Sequence, residues 1–170
     1  MITLSEENYL KAILSINLNT NNLVSTNEIA NLLNTSAASV TEMIKKLQEK
    51  NLVLYKKYKG VKLSNIGNKK AIEVLRKHRL WETFLVKKLD FSWAEVHDVA
   101  EQLEHIKSQK LTDKLNHFLN YPKFDPHGEP IPTKNGLIPT TERITLHDMP
   151  LNSKGVIMGV SLDNSEFLDY

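Results

Sequence analysis

The nine residues from 97 to 105, with the sequence HDVAEQLEH, restrict the fold more than any other stretch of this chain. If they form a helix, at about 100° per residue, four side chains share one face: those of His97, Glu101, Glu104 and His105. Two imidazoles and two carboxylates on one face offer a divalent metal ion nitrogen and oxygen donors without sulfur. The stretch therefore predicts a metal-binding helix that packs against another part of the chain.

A second helix with the same spacing is expected to complete the coordination of this metal. His78 and Glu82 lie one helical turn apart, earlier in the chain. A polar face of this kind can also be exposed to solvent without binding a metal. A single His and Glu one turn apart would favour that interpretation. However, three of the six histidines lie on these two predicted helices, aligned with acidic residues. The pattern therefore favours a metal site.

The composition limits the class of protein. The 170 residues, 41% of them hydrophobic, can form one large or two small globular domains. No apolar run reaches the length of about eighteen residues that a membrane span needs. The first residues also lack the basic and apolar regions of a signal peptide, so we expect a cytoplasmic protein without membrane contacts. The absence of cysteine excludes disulfides, thiolate metal sites and cysteine nucleophiles.

The distribution of charge indicates a surface for a polyanion. The formal net charge is +2, but residues 41–80 contain 12 Lys and Arg against three Glu, and the rest of the chain is net acidic. A basic segment on a nearly neutral chain is the electrostatic footprint of nucleic-acid binding. Lysine-rich faces that are exposed to solvent and bind no polyanion are also common.

The first third of the chain has the element order of a winged helix-turn-helix. The spacing of apolar residues predicts a helix over residues 5–18 capped by Ser5, a short helix capped by Thr26, and a third helix from Ser36 to about Lys50. Two β-prone runs, 52–55 and 61–63, surround a basic turn that contains Gly60. This order predicts a helix-turn-helix followed by a β-hairpin wing.

Candidate DNA contacts follow from the outward positions of these elements. The third helix is expected to present side chains to base edges in the major groove, and the hairpin is expected to place lysines on phosphates. The candidates are Ser36, Ala38, Ser39, Thr41 and Lys45 on the helix and Lys57 and Lys59 in the hairpin. A helix-helix-hairpin unit can also serve protein contacts, but the basic segment favours DNA.

The rest of the chain is predicted to contain three helices and a short β-like tail. The helices cover residues 64–89, a segment that starts at Ser92 and carries the opening stretch, and residues 112–119 with Thr112 as cap. Five prolines and two glycines follow within 122–139, which indicates a linker without regular structure. The predicted domains are 1–63, 64–121, a linker over 122–142 and a β-like segment over 143–170.

Three motifs make the chain similar to a known family. They are RKHRL-x-E at 76–82, VHD-x-A-x-x-x-EH at 96–105 and PHG-x-PIP at 126–132. Over essentially its whole length the chain resembles the diphtheria-toxin-repressor family of metal-activated transcriptional regulators. The resemblance implies a mainly helical protein: a winged-helix DNA-binding domain, a helical domain for metal binding and dimerisation, and a C-terminal SH3-like module. Only the beginning of that module is present here, so either the natural protein is longer or this member has a shortened version.

The resemblance also implies two sets of metal ligands. The primary set is Glu101, Glu104 and His105, together with Asn8, and the ancillary set is His78, Glu82 and His97. Glu101 stands where iron-responsive members have cysteine, as in the manganese-responsive branch. Carboxylate and imidazole donors without sulfur suit Mn²⁺, a hard ion, while Fe²⁺ or another divalent transition metal remains open.

Two residues depart from the family pattern. Asn8 replaces the methionine or aspartate of other members, so its amide oxygen would bring no charge to the primary site. Lys11 stands where some manganese-type members have a second carboxylate, which favours separate primary and ancillary ions over a closely bridged pair. Asp163 is the residue considered as a ligand from the SH3-like module, and neither set includes it.

The function implied is a metal-dependent repressor of metal-uptake genes. The metal acts as corepressor, and a homodimer binds a palindromic double-stranded operator without any small organic substrate. One alternative is a winged-helix DNA binder whose His/Glu cluster is only structural. Another is a dimetal enzyme, but that class usually needs Glu-x-x-His pairs on bundle helices, which this spacing does not supply. We therefore expect a protein that is not an enzyme.

Overall fold

The computed structural model describes residues 2–20, 22–57, 59–140 and 144–155. Within these ranges it contains six helices and one two-stranded sheet. The elements are α1 (Leu4–Thr20), α2 (Thr26–Leu32), α3 (Ala37–Glu49), β1 (Val53–Lys56), β2 (Gly60–Leu63), α4 (Asn65–Leu89), α5 (Trp93–Leu103) and α6 (Gln109–Phe118). The predicted mainly helical fold with one hairpin is confirmed. The chain forms two compact units, Met1–Leu75 and Arg76–Tyr170, and α4 contributes residues to both.

Side-chain caps set where the helices of the first unit begin. Ser36 caps α3 as predicted, because its hydroxyl accepts a hydrogen bond from Ser39 N at 3.1 Å. α2 is capped by Ser25, one residue before the predicted Thr26: Ser25 Oγ accepts from Glu28 N at 3.2 Å, and the Glu28 carboxylate accepts from Ser25 N at 2.7 Å. α1 starts before the predicted Ser5, since Thr3 provides its cap.

The first unit is a winged helix-turn-helix. α1 packs against α2, α3 and β2, and the core is apolar, with Leu10, Ile13, Val40, Ile44, Leu47 and Val61 fully buried. β1 and β2 pair antiparallel from Val53↔Leu63 to Lys56↔Gly60. Gly60 has φ +115°, and a Cβ there would lie 2.8 Å from the Val24 carbonyl oxygen. Only glycine fits this close approach at a positive φ.

The second unit has two small apolar clusters. Leu85 on α4 packs with Val96 and Ala100 on α5. Leu80 on α4 packs with Leu115 on α6 and with Ile131 from the proline-rich segment. That segment has no helix or strand over its described residues 122–140, yet it is anchored by the burial of Ile131. Its order comes from packing and from side-chain contacts, which local sequence patterns do not display.

Two helix boundaries in the second unit differ from the expectations. α6 is capped by Ser108, four residues before the predicted cap Thr112, because Ser108 Oγ accepts a hydrogen bond from Leu111 N at 3.3 Å. α5 has the predicted Ser92 as its N-cap but ends at Leu103. Glu104 keeps helical dihedral angles at the C-cap, with its N–H bonded to Ala100 O at 2.9 Å. The prediction that His105 lies on the helix was therefore wrong.

The structure describes residues 144–155 of the predicted β-like C-terminal segment. Residues 144–155 form turns without a helix or strand. The β-like run 156–160 and Asp163 lie outside the described residues. Among the helices that the structure describes, none combines the length and the apolar character needed to cross a membrane.

Candidate metal centre

Three of the predicted ligands come together in the second unit. His78 and Glu82 lie one turn apart on α4, and His97 lies on α5 opposite them. Glu82 Oε1 is 3.0 Å from His78 Nε2 and 3.4 Å from His97 Nδ1. One ligand atom from each residue lies within 4.8 Å of the other two, and the two rings pack edge to face at 4.9 Å. This is the predicted ancillary set, assembled by the packing of α5 against α4.

The burial of the three side chains is graded. Glu82 and His78 are 3% and 7% exposed, whereas His97 is 56% exposed. Burial raises the pKa of Glu82, but hydrogen bonds with His78 and His97 outweigh it and hold that pKa at about 2. The carboxylate is therefore ionised at neutral pH. A buried anion with two imidazoles, one of them open to solvent, suits a divalent cation that enters from the His97 side.

Glu104 links this cluster to the predicted primary set. Its side chain is fully buried, and Glu104 Oε2 lies 2.6 Å from His78 Nδ1. His78 thus lies between two carboxylates, one at each ring nitrogen. A carboxylate at one nitrogen orients the ring and fixes which nitrogen faces a metal. The two ligand sets that the sequence treated as separate therefore share a direct contact, because α4 and α5 approach closely at this point.

Glu101 and His105 adjoin the cluster without joining its closest group. His97 Nε2 is 3.7 Å from Glu101 Oε1. His105 Nε2 is 3.8 Å from Glu104 Oε1, and the His105 side chain is 10% exposed. The structure therefore places both residues next to members of the cluster, with His105 on the turn after α5.

Sequence reasoning missed a third imidazole. His127, in the proline-rich segment, has its Nε2 3.8 Å from Glu82 Oε1, and its ring is 5.8 Å from that of Trp93. Arg79 secures this segment on α4: it donates to the Pro130 carbonyl at 2.5 Å and to the Glu129 carboxylate at 3.2 Å. The PHG motif contained His127, but no periodicity linked it to α4.

A buried carboxyl lies in the same turn. Asp125 Oδ1 accepts a hydrogen bond from Glu129 N at 2.8 Å, and Oδ2 lies 3.5 Å from Arg79 Nε. Burial and the charge of Glu82 raise the pKa of Asp125 to about 6, against the opposing effects of the Glu129 N–H, Arg79 and His127. The turn therefore carries a carboxyl that is costly to ionise.

The remaining predicted site residues lie in the first unit. Asn8 is on α1, and its Oδ1 is buried without a hydrogen-bond partner among the residues that the structure describes. A buried carbonyl oxygen of this kind fits the role of a metal ligand. Most of the candidate DNA contacts are exposed: Ser36, Ala38, Ser39, Lys45, Lys57 and Lys59.

Two of the candidate DNA contacts also serve the helix itself. The hydroxyl of the half-buried Thr41 donates to Ala37 O at 2.8 Å, and Lys45 pairs with Glu42 at 2.8 Å. Both interactions lie at the surface of α3. A surface ion pair contributes little to stability, so Lys45 can exchange Glu42 for another partner at little cost.

Comparison with protein families decides which kind of protein carries this fold and cluster. Residues 1–61 match the model described as the iron dependent repressor N-terminal DNA binding domain, and residues 64–133 match its metal binding and dimerisation domain. The chain belongs to the iron-dependent repressor family. The predicted resemblance to the diphtheria-toxin repressors, including the manganese regulators, is confirmed. This is a family of transcriptional regulators.

Similarity to individual proteins supports membership of the iron-dependent repressor family. A manganese-dependent transcriptional repressor in complex with manganese has 40% identity and a TM-score of 0.75, covering 80% of this chain and 62% of that one. The HTH-type regulator MJ0568 of Methanocaldococcus jannaschii is 34% identical over 68% of this chain and 92% of its own length. The iron-dependent repressor IdeR of Mycobacterium tuberculosis (strain H37Rv) is 35% identical over 61% of this chain and 45% of its own. The chain spans half or less of the length of most curated relatives it matches.

Proposed function

We propose that this iron-dependent repressor family member is a metal-dependent transcriptional repressor of metal-uptake genes, with Mn²⁺ as corepressor and Fe²⁺ as the alternative ion. It acts as a homodimer on a palindromic double-stranded operator. The observation that carries the proposal is the cluster of His78, Glu82 and His97, with the buried Glu104 behind it. The donors are imidazole nitrogens and carboxylate oxygens, which Mn²⁺ accepts, and no thiolate is present to select a soft ion.

Each residue has a proposed part in holding the ion. Glu82 supplies a charge that stays ionised at neutral pH, and His78 is turned towards it by Glu104. His97 is the exposed ligand at the entrance. Glu101, Glu104 and His105, with the neutral Asn8 of the first unit, form the proposed primary set on the strength of the family motif. The ion would supply positive charge that neutralises the buried carboxylates.

The proposed DNA interface lies on the first unit. Ser36, Ala38, Ser39, Thr41 and Lys45 would contact bases from α3. Lys57 and Lys59 would neutralise phosphates from the turn between β1 and β2. Metal binding and DNA binding are then linked, and a coupling of about 5- to 150-fold in DNA affinity is the ordinary range for such a linkage. A cytoplasmic location follows from this role.

A selection experiment tests the proposal without knowledge of the operator. DNA sequences are selected from a random duplex library with the purified protein and Mn²⁺, and the affinity for the selected sequence is then measured with Mn²⁺, with Fe²⁺ and with chelator. We expect binding that requires metal and a selected sequence with twofold symmetry. His105→Ala and His78→Ala should lose the metal response, whereas His147→Ala, on an exposed histidine, should keep it. Equal DNA affinity with metal and with chelator would instead support a DNA binder whose His/Glu cluster is structural.

A further inference from the structure

One charged contact in the first unit joins α1 to the end of α3. Lys50 Nζ lies 2.6 Å from Glu6 Oε1. The Glu6 side chain is 5% exposed and that of Lys50 is 42% exposed, so the pair is shielded at its acidic end. Loss of this contact would leave the buried carboxylate of Glu6 without a compensating charge, so burial favours keeping the pair.

The acidic end of this contact is fixed to the backbone, and the basic end belongs to the residue that closes α3. Glu6 lies in the first turn of α1, where its Oε2 accepts a hydrogen bond from Thr3 N at 2.8 Å and Thr3 Oγ1 accepts from Glu6 N at 3.2 Å. Lys50 is the C-cap residue of α3, and its own N–H bonds to Lys46 O at 3.2 Å. The carboxylate of Glu6 therefore caps one helix and holds the end of another. A shift of α1 can be transmitted to α3 through this side-chain contact.

The position of Asn8 gives this contact a functional meaning. Asn8 follows Glu6 by two residues, so the two side chains point to nearly opposite sides of α1, about 200° apart. One side of α1 carries the proposed metal ligand and the other carries the attachment to α3. We propose that Glu6 and Lys50 are positioning residues that couple the metal-dependent placement of α1 to the DNA-contacting helix α3. This inference rests on the proposed function, and it adds the pair of residues that couples α1 to α3 within the first unit.

The apolar contacts between α1 and α3 differ in kind from the ion pair of Glu6 and Lys50. α1 also contacts α3 through apolar residues of the core, but apolar contacts are non-directional and permit small sliding movements. A short ion pair whose carboxylate is also held by the backbone of α1 resists such sliding. Its loss is therefore expected to leave the unit folded and to weaken the transmission of movement along it.

Two single substitutions, which change the net charge in opposite directions, test the proposal. Glu6→Gln keeps the length of the side chain and an oxygen for Thr3 N, and raises the net charge by one. Lys50→Met keeps the aliphatic stem and lowers the net charge by one. If Glu6 and Lys50 acted on DNA affinity only through charge, the two changes would have opposite effects. If the pair couples α1 to α3, both changes lower the gain in DNA affinity that Mn²⁺ causes.

The measured quantity is the ratio of DNA dissociation constants with chelator and with Mn²⁺, for the full chain on its selected operator. We expect this ratio to fall in both variants by a factor within about 2- to 30-fold, the range found for residues that transmit coupling. Lys50→Arg should restore it, because a guanidinium keeps the pair. Lys46→Met, on an exposed lysine in the last turn of α3, is the control for loss of one positive charge and should keep the ratio.

The outcomes separate this inference from the proposed function. A wild-type protein whose DNA affinity ignores Mn²⁺ overturns both. A wild-type response that both variants retain overturns the inference alone, and so do opposite changes in the two variants. Thermal unfolding monitored by circular dichroism shows whether each variant folds. If Glu6→Gln does not fold, the half-exposed position 50, with its Met and Arg variants, decides the question.

Discussion

Replacing Asp125 by Asn is expected to stabilise the metal-free protein near neutral pH. Asp125 is buried, and burial together with the charge of Glu82 raises its pKa to about 6 from 3.8. The unfolded chain ionises this carboxyl more readily than the folded chain does, so the ionised group destabilises the fold. Asn keeps the side-chain oxygen that accepts the 2.8 Å hydrogen bond from Glu129 N and never carries the charge.

The size of the effect follows from the pKa shift. The difference between 3.8 and about 6 corresponds to about 3 kcal/mol, at about 1.36 kcal/mol per pKa unit. Below pH 3.8 the carboxyl is protonated in both states and carries no penalty. The penalty grows as the pH rises through that value and is complete above about 6. The advantage of Asp125→Asn in the free energy of unfolding should be about 3 kcal/mol at pH 7.5, about half of that at pH 5 and close to zero at pH 3.5.

The assay is urea unfolding of both proteins in chelator across this pH range, followed by circular dichroism. Asp113→Asn is the control with the opposite sign. Hydrogen bonds from Lys134 and Gln109 lower the pKa of Asp113, so its contribution is favourable above the ordinary pKa and is lost as the pH falls. A difference between Asp125→Asn and wild type that does not change with pH would refute the argument, as would a less stable variant at pH 7.5.

Four further substitutions test other parts of the structure. Gly67→Ala should destabilise the first unit by about 3 kcal/mol or more, measurable by thermal unfolding, because the added Cβ would lie 1.9 Å from the Leu52 carbonyl oxygen; an unchanged melting temperature would contradict this packing. Lys57→Ala and Lys59→Ala should each weaken binding to all DNA sequences and reduce the slope of log K against log salt by about 0.9, and a loss confined to one sequence would argue against phosphate contacts. Leu80→Ala, at a fully buried position, should cost about 2–5 kcal/mol in urea unfolding, and a cost below about 1 kcal/mol would mean that the cluster is loosely packed.

Local patterns in the sequence predicted most of the elements and several of their ends. The cap at Ser36, the hairpin around Gly60 and the long helix that ends at Leu89 are all confirmed. These features depend on residues within one or two turns of each other, so they can be recognised without the rest of the fold. The same holds for the one-turn spacing of His78 and Glu82, which placed both side chains on one face of α4.

Local patterns of this kind could not predict contacts between residues that lie far apart in the chain. The sequence divided the ligands into two sets, whereas Glu104 and His78 form the 2.6 Å contact that joins them. His127 lies beside Glu82 because Arg79 and the burial of Ile131 hold the proline-rich segment on α4.

The sequence by itself therefore determined the helices, the hairpin, the family and the chemistry of the donors, since helical periodicity and motif spacing are local properties of the chain. Only the tertiary structure decided which donors meet, which are buried and which carboxyl, such as Asp125, has a raised pKa. Those properties depend on distances between residues far apart in the chain and on the water that packing removes from around them.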